Sequence, residues 1–410
     1  MIRPLLSALR HLCYAVLFLA LLACVMEIGL RVYDSATGQL TRGDLYDRGM
    51  TCKSWTTHHA LKPSRAYLVR HSDTDQKIRV NVNSLGLRGR EPLIPKPPGT
   101  LRVLCLGDES TLASHTLEAE TFCAILQTHL AKDRDATVEV LNAGVPDFCP
   151  LLSYLQMRHT LLALAPDLVI LNFDMSDVAD DHAVRCFAIS DTAGNPTCCS
   201  HPALDLPKNA GPIRPFDALL LPQWARQKVN SVLADQTARV AAPSIDFPRS
   251  RYLWLSDAPP DWEEYIEQAL SPLELIQELL AGQEARLVVT AIPAPWQVSA
   301  AATAGGGVRE RSGVAADALF RSRRPFEIIE EYCQTRNIAW CDVSPAFTDH
   351  PAGQRLYLRR AAELSPEGHA LHASELARYL AEQPLGPRSL PRLPGSGYAA
   401  ESNESSASRR

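Results

Sequence analysis

Hydrophobic and polar positions along this chain alternate between two rhythms. Short apolar runs with β-rich composition stand at Leu101–Leu106, Thr137–Leu141, Asp167–Phe173, Arg286–Ile292 and Ile338–Val343. Between and after them, apolar residues recur at helical spacing over Glu120–Ala131, Leu151–Leu164, Asp261–Leu280, Pro325–Thr335 and Ser365–Leu380. Fully apolar strands alternating with helices predict parallel pairing through crossover helices. The expected fold is therefore α/β: a three-layer α/β/α sandwich around a parallel, flavodoxin-like five-stranded sheet. Ser365 is placed to cap the last helix, with Glu367 in its first turn.

Outside residues 101–383 the pattern changes. The run Leu12–Met26 carries no charge, follows Arg3, Arg10 and His11, and extends with Leu5–Leu30 to a length that can span a bilayer. Residues 1–32 are expected to anchor the chain in the membrane as a single pass, and positive charge ahead of the run would leave the bulk extracytoplasmic. Leu21-Leu22-Ala23-Cys24 also matches a lipobox, so a lipidated Cys24 is the alternative to an uncleaved helix. Residues 33–100 read as a polar, proline-rich extended lead-in. Residues 182–260 lack periodicity and are too long for an ordinary connection, which makes them an insertion near the top of the sheet. Residues 299–316 read as a mobile loop, and 384–410 as a disordered tail.

Composition narrows the function. With 410 residues, 46% of them hydrophobic, the chain can bury one large core and still carry additions. A net charge of −5 with no basic block gives no electrostatic footprint for nucleic acid. The eleven cysteines fit no zinc spacing; Cys198-Cys199 with Cys186 would suit a disulfide in an exported domain, and Cys105 reads as a buried thiol. No cofactor is expected. His58-His59 sits in polar surroundings and is expected to face solvent. Trp254, Trp262 and Trp296 would either join the insertion to the core or form a stacking platform for sugars.

The chemistry concentrates where the first strand ends. Gly107-Asp108-Glu109-Ser110 and the helix after it, Leu141–Phe148, Val169–Asp177, and Leu364-Ser365-Pro366-Glu367-Gly368-His369 follow in an order that resembles the SGNH/GDSL hydrolases over about residues 100–383. The segment 83–108 resembles the lead-in of membrane-anchored bacterial members. The resemblance implies a serine nucleophile, oxyanion donors from a glycine and an asparagine, and a histidine base oriented by an aspartate. In this chain those places are occupied by Glu109 (serine), Asp147 (glycine), Ser176 (asparagine), Arg360 or Ala361 (aspartate) and Glu363 (histidine). All five have changed while the words around them have stayed. An acid at 147 would oppose a developing oxyanion by roughly 1–4 kcal/mol at contact distance.

Three readings follow. The first is a catalytically inactive, membrane-tethered SGNH-like protein acting in binding or assembly at the cell envelope, on an acylated carbohydrate or another envelope component. The second keeps an esterase, with Ser110 as displaced nucleophile and His115, His369 or His372 as base, although His369 reads first as a packing residue. The third joins Glu109, Asp147 and Glu363, with Asp108 and Asp177 close by, into a carboxylate site that holds Ca²⁺ or Mg²⁺ or does acid/base work, balanced by Arg359 or Arg360.

Overall fold

The computed structural model describes residues 2–37, 49–74, 76–132, 136–202, 204, 221, 251–256, 262–305 and 307–383. The tail from Pro384 and most of the centre of the insertion lie outside the described residues.

Five strands form the central sheet: β5 (Thr100–Leu106), β6 (Thr137–Asn142), β7 (Leu168–Asp174), β10 (Arg286–Ile292) and β11 (Ala339–Cys341). They lie edge to edge as β6-β5-β7-β10-β11, all parallel. This is the flavodoxin-like order, and each strand falls within two residues of the apolar run that predicts it. Side chains alternate across the pleat, so the two faces of the sheet serve two cores. Val103 and Cys105 of β5 pack with α3 (Phe122–Lys132) and α12 (Pro366–Ala381). Leu104 and Leu106 pack on the opposite face with α4 (Pro150–Gln156), α5 (Asp177–Arg185), α6 (Glu263–Leu270), α7 (Pro272–Ala281) and α10 (Arg324–Thr335). The result is a three-layer α/β/α sandwich.

Two helices differ from their periodicity. The helix expected over Asp261–Leu280 breaks at Ser271, because Pro272 has no amide hydrogen to donate and instead opens α7 as its first residue. The one expected over Leu151–Leu164 is α-helical to Gln156, widens into a π turn at Met157–Leu161, tightens through Leu162–Leu164 and stops at the left-handed Ala165.

The lead-in folds as two antiparallel hairpins. The first pairs β1 (Thr51–Lys53) with β2 (His59–Leu61), the second β3 (Arg65–Arg70) with β4 (Lys77–Val82). Ile78, Val80 and Val82 alternate into the core, and Leu87 follows them. His58 and His59 are 5% and 0% exposed, not solvent-facing: the β1–β2 hairpin packs His58 against the described part of the insertion, which includes β8 (Ala188–Ser190) and β9 (Pro196–Cys199), and His59 against Phe148. The His58 ring lies 4.6 Å from that of His201 and stacks near Phe187, while its amide donates to the Cys199 carbonyl. Burial moves both imidazoles down, His58 to about 4 and His59 to about 3.

Trp254, Trp262 and Trp296 are buried, which assigns them to the core and not to a sugar platform. Trp254 donates from Nε1 to the Met175 carbonyl and so ties the end of the insertion to the loop after β7. All eleven cysteines are free thiols, including Cys186, Cys198 and Cys199. The loop 299–316, expected to be mobile, is organised around buried Arg309, whose guanidinium donates to the carbonyls of Ser299, Ala302, Ala315 and Ala318. At the amino end, α1 (Ile2–Thr37) contains the span Cys13–Val32, with mean hydropathy 2.3, long and apolar enough to cross a membrane.

Candidate functional site

The site is assembled at the carboxyl ends of β5, β6 and β7, where open α/β sheets hold ligands. At Gly107 the chain leaves β5 with φ +148, and an added Cβ would stand 2.4 Å from Thr111 Oγ1 and 2.9 Å from the Asn172 carbonyl. Only glycine fits. Asp108 then caps the short helix α2 (Glu109–Leu112) by accepting the Ser110 amide on Oδ1 at 2.9 Å. From β6, Asn142 donates to the Thr111 carbonyl at 2.6 Å and accepts the Gly144 amide at 3.0 Å, so the second loop is laced to the first.

That lacing brings Glu109 and Asp147 together. Asp147 takes the left-handed conformation with φ +57, and its amide donates to Glu109 Oε2 at 3.1 Å. The backbone N–H at the resemblance's oxyanion position therefore points at a carboxylate of the protein itself. Glu109, at the place the resemblance gives to a serine, thus accepts from the amide at the place it gives to an oxyanion donor. The same peptide unit is gripped from its other side, where His59 Nε2 lies 2.7 Å from the Pro146 carbonyl.

The third loop adds more acid. Ser110 Oγ donates to Asp174 Oδ2 at 3.1 Å, Asp174 Oδ1 accepts the Ser176 amide, and Ser176 Oγ donates to Asp180 at 2.7 Å. Burial raises these carboxyls first, and repulsion from Glu109 and from one another adds to it. Asp147 is pushed up to about 7 and Asp174 to about 6, while Asp108, Asp177 and Asp180 are all raised. Among the described residues one cation meets them. Arg251 pairs with Asp180, and although burial works against its charge, Asp180 and Glu109 hold it protonated.

The fourth loop gives Glu363 a partner of its own. Glu363 accepts from His115 Nδ1 at 2.9 Å, a bond that raises the imidazole, and Ser114 Oγ lies 3.4 Å from the same nitrogen. Arg359 and Arg360 are placed by their amides, which donate to the Asp73 carboxylate at 2.7 and 2.8 Å.

Of the residues picked out in the sequence, Asp108, Glu109, Ser110, Asp147, Ser176 and Asp177 share one region. Glu363 does not join Glu109 and Asp147, and among the described residues no group of three acidic, histidine or cysteine side chains is arranged to hold a metal ion. The balancing cation is Arg251, not Arg359 or Arg360. Ser110 meets Asp174 instead of a histidine. His369 and His372 are fully buried against Phe122, held down at about 3 by burial, and reach neither serine nor acid. Asp174, Asp180 and Arg251 escaped the sequence reading. Asp174, the last residue of β7, was findable from its place at a strand end; Arg251 lies in an aperiodic stretch with no signal.

The strand order matches the plan that the motifs predict, a three-layer α/β/α sandwich around a parallel sheet. No family model and no curated protein matches the chain. Among solved structures it is similar to a lipase/acylhydrolase from Enterococcus faecalis (12% identity, 68% of this chain and 95% of that one, TM-score 0.37). Also similar are a lipolytic G-D-S-L family protein from Veillonella parvula (10%, 69% and 100%, 0.36) and a catalytic mutant of an acetylxylan esterase from Geobacillus stearothermophilus (12%, 69% and 95%, 0.36).

Proposed function

We propose that this SGNH-like chain is tethered to a membrane and binds a ligand at the cell envelope without serine-type ester hydrolysis. The observation that carries the reading is the Asp147 amide donated to Glu109. A glutamate there can neither be activated as a hydroxyl is nor leave that donor open for an oxyanion. Ser176, at the second donor position, gives its hydroxyl to Asp180. The resemblance's base position holds Glu363, and among the described residues no imidazole is hydrogen-bonded to Ser110 or Glu109.

A fluorophosphonate probe applied to the full chain is expected to label no serine. Glu109→Ser is expected to leave p-nitrophenyl acetate hydrolysis at the buffer rate, because base and donors each contribute about a hundredfold or more and remain missing. Labelling of any serine overturns the reading.

One contact favours a second reading, an esterase built on Ser114, His115 and Glu363. In such a triad the acid and the serine occupy opposite nitrogens of the imidazole. Here both approach Nδ1, which the carboxylate holds at the shorter distance. Hydrolysis abolished by Ser114→Ala would establish it.

A further inference from the structure

The β3–β4 hairpin has one face that the core uses and one that it leaves over. The register sets Tyr67 opposite Val80 and Val69 opposite Ile78, and this face packs inward, with Ile78 2% and Val80 0% exposed. By alternation the outer face carries Ala66, Leu68, Arg70, Lys77, Arg79 and Asn81, with Leu68 opposite Arg79 and Arg70 opposite Lys77. Leu68 is 69% exposed near the middle of its strand, and the three cations are exposed around it. Lys77 and Arg79 are in no ion pair among the described residues; Arg79 Nε donates to Asn81 Oδ1 at 2.9 Å, which lays its guanidinium along the face.

Charge and chain order say what such a face meets. Residues 51–100 hold nine Lys or Arg against three Asp or Glu in a chain of net charge −5, so positive charge is concentrated in the lead-in. In the turn of the hairpin, Asp73 directs its carboxylate to the Arg359 and Arg360 amides. Cations around an apolar tip suit the headgroup level of an anionic membrane, where each Lys or Arg is worth about fivefold in affinity. The apolar span of α1 ends at Val32 and β1 opens at Thr51, so the hairpins follow closely on the segment that would lie in the bilayer. A tether of that length keeps the face at high effective concentration over lipid, and a contact too weak to hold a free protein suffices. A second copy of the same face would set cation against cation, which argues against a symmetric dimer through it.

We infer that the outer face of the β3–β4 hairpin docks on anionic lipid headgroups, with Lys77 and Arg79 against the phosphates and Leu68 dipped between them. The inference deepens the proposed function and rests on its membrane tether. It also places the cleft. Leu68 and Asp73 are about 17 Å apart along the hairpin at the rise of a strand, so the loop that Asp73 holds stays close to the lipid surface.

Hydrogen–deuterium exchange of the full chain in lipid nanodiscs tests it, with discs of phosphatidylcholine alone and discs in which a third of the lipid is phosphatidylglycerol. Amides of residues 65–82 should exchange about tenfold more slowly over the anionic discs, while those of β5 stay unchanged. The difference should vanish in 0.5 M salt, which shortens the screening length to about 4 Å. Lys77→Glu with Arg79→Glu should remove it, and Leu68→Ser should weaken it about threefold. All three side chains are exposed, so β5 exchange at the unaltered rate is the control for folding. Should the double reversal disturb β5, Lys77→Gln and Arg79→Gln one at a time take its place. Equal exchange over the two lipids, or slowing that loss of these charges leaves intact, overturns the inference. A chain that does not elute with the discs overturns the tether of the proposed function, and the inference with it; a chain that does, with exchange unchanged, overturns the inference alone.

Discussion

Asp147 carries two burdens at once, a left-handed backbone and a carboxyl whose burial and acidic neighbours push it up to about 7. The folded chain keeps a proton on it that the unfolded chain releases near pH 4. Its stabilising contribution is therefore fully present below the unfolded value and is lost as pH rises through about 7. Asparagine keeps the shape, tolerates the left-handed conformation and has no charge to bury. Asp147→Asn should accordingly raise the melting temperature by about 2–4 °C at pH 8, with the gain gone by pH 4. Thermal scans at the two pH values check this. The buried imidazoles pull the other way. His59, His369 and His372 at about 3 hold stability that is complete above pH 6.5 and drains as pH falls toward 3. Between pH 4 and 6.5 the two trends oppose each other.

Strands, turns and helix starts account for why some words of the family pattern survive here and others do not. Gly107 admits the turn, Asp108 and Ser365 cap helices, Asn142 laces two loops, and Gly368 lets α12 approach so closely that a Cβ would lie 2.1 Å from the Leu356 carbonyl. These residues build the frame, whereas the five substituted positions lie where the resemblance puts chemistry. Gly144 tests the distinction, because a Cβ there would meet the Leu112 amide nitrogen at 2.3 Å and the Asp108 carbonyl at 2.9 Å, both backbone atoms that cannot step aside. Gly144→Ala should destabilise by about 3 kcal/mol or more, read as a lowered urea midpoint, although it touches no side chain of the acid cluster. The sheet was legible because buried parallel strands are written as unbroken apolar runs, and Arg286–Ile292 was placed to the residue. The hairpins of the lead-in were hidden: β1 and β2 are only three residues each, and the contact of their hairpin with the insertion is a long-range event with no local period. The positions Glu109 and Asp147 were readable from motif spacing. Their hydrogen bond was not, since it depends on the left-handed turn at Asp147.

The amino-terminal helix, the lead-in and the sandwich bear on one another. The span Cys13–Val32 predicts that the full chain sediments with membranes and stays there through alkaline carbonate washing, its intact mass retaining residues 2–37. A shortened mass with release into the supernatant would mean that the segment is removed as a signal sequence. Between that helix and the sheet, three side chains of the lead-in each reach a different loop of the cleft. His59 takes the carbonyl before Asp147, Arg88 gathers the carbonyls of Leu112, Ala113 and Thr116, and Asp73 holds the amides of Arg359 and Arg360. The natural-looking place to trim this protein, at Thr100 where the first sheet strand begins, is thus the wrong one: a fragment starting there would keep its central sheet yet lose the struts under three of its four rim loops, and a usable soluble version has to begin ahead of Thr51.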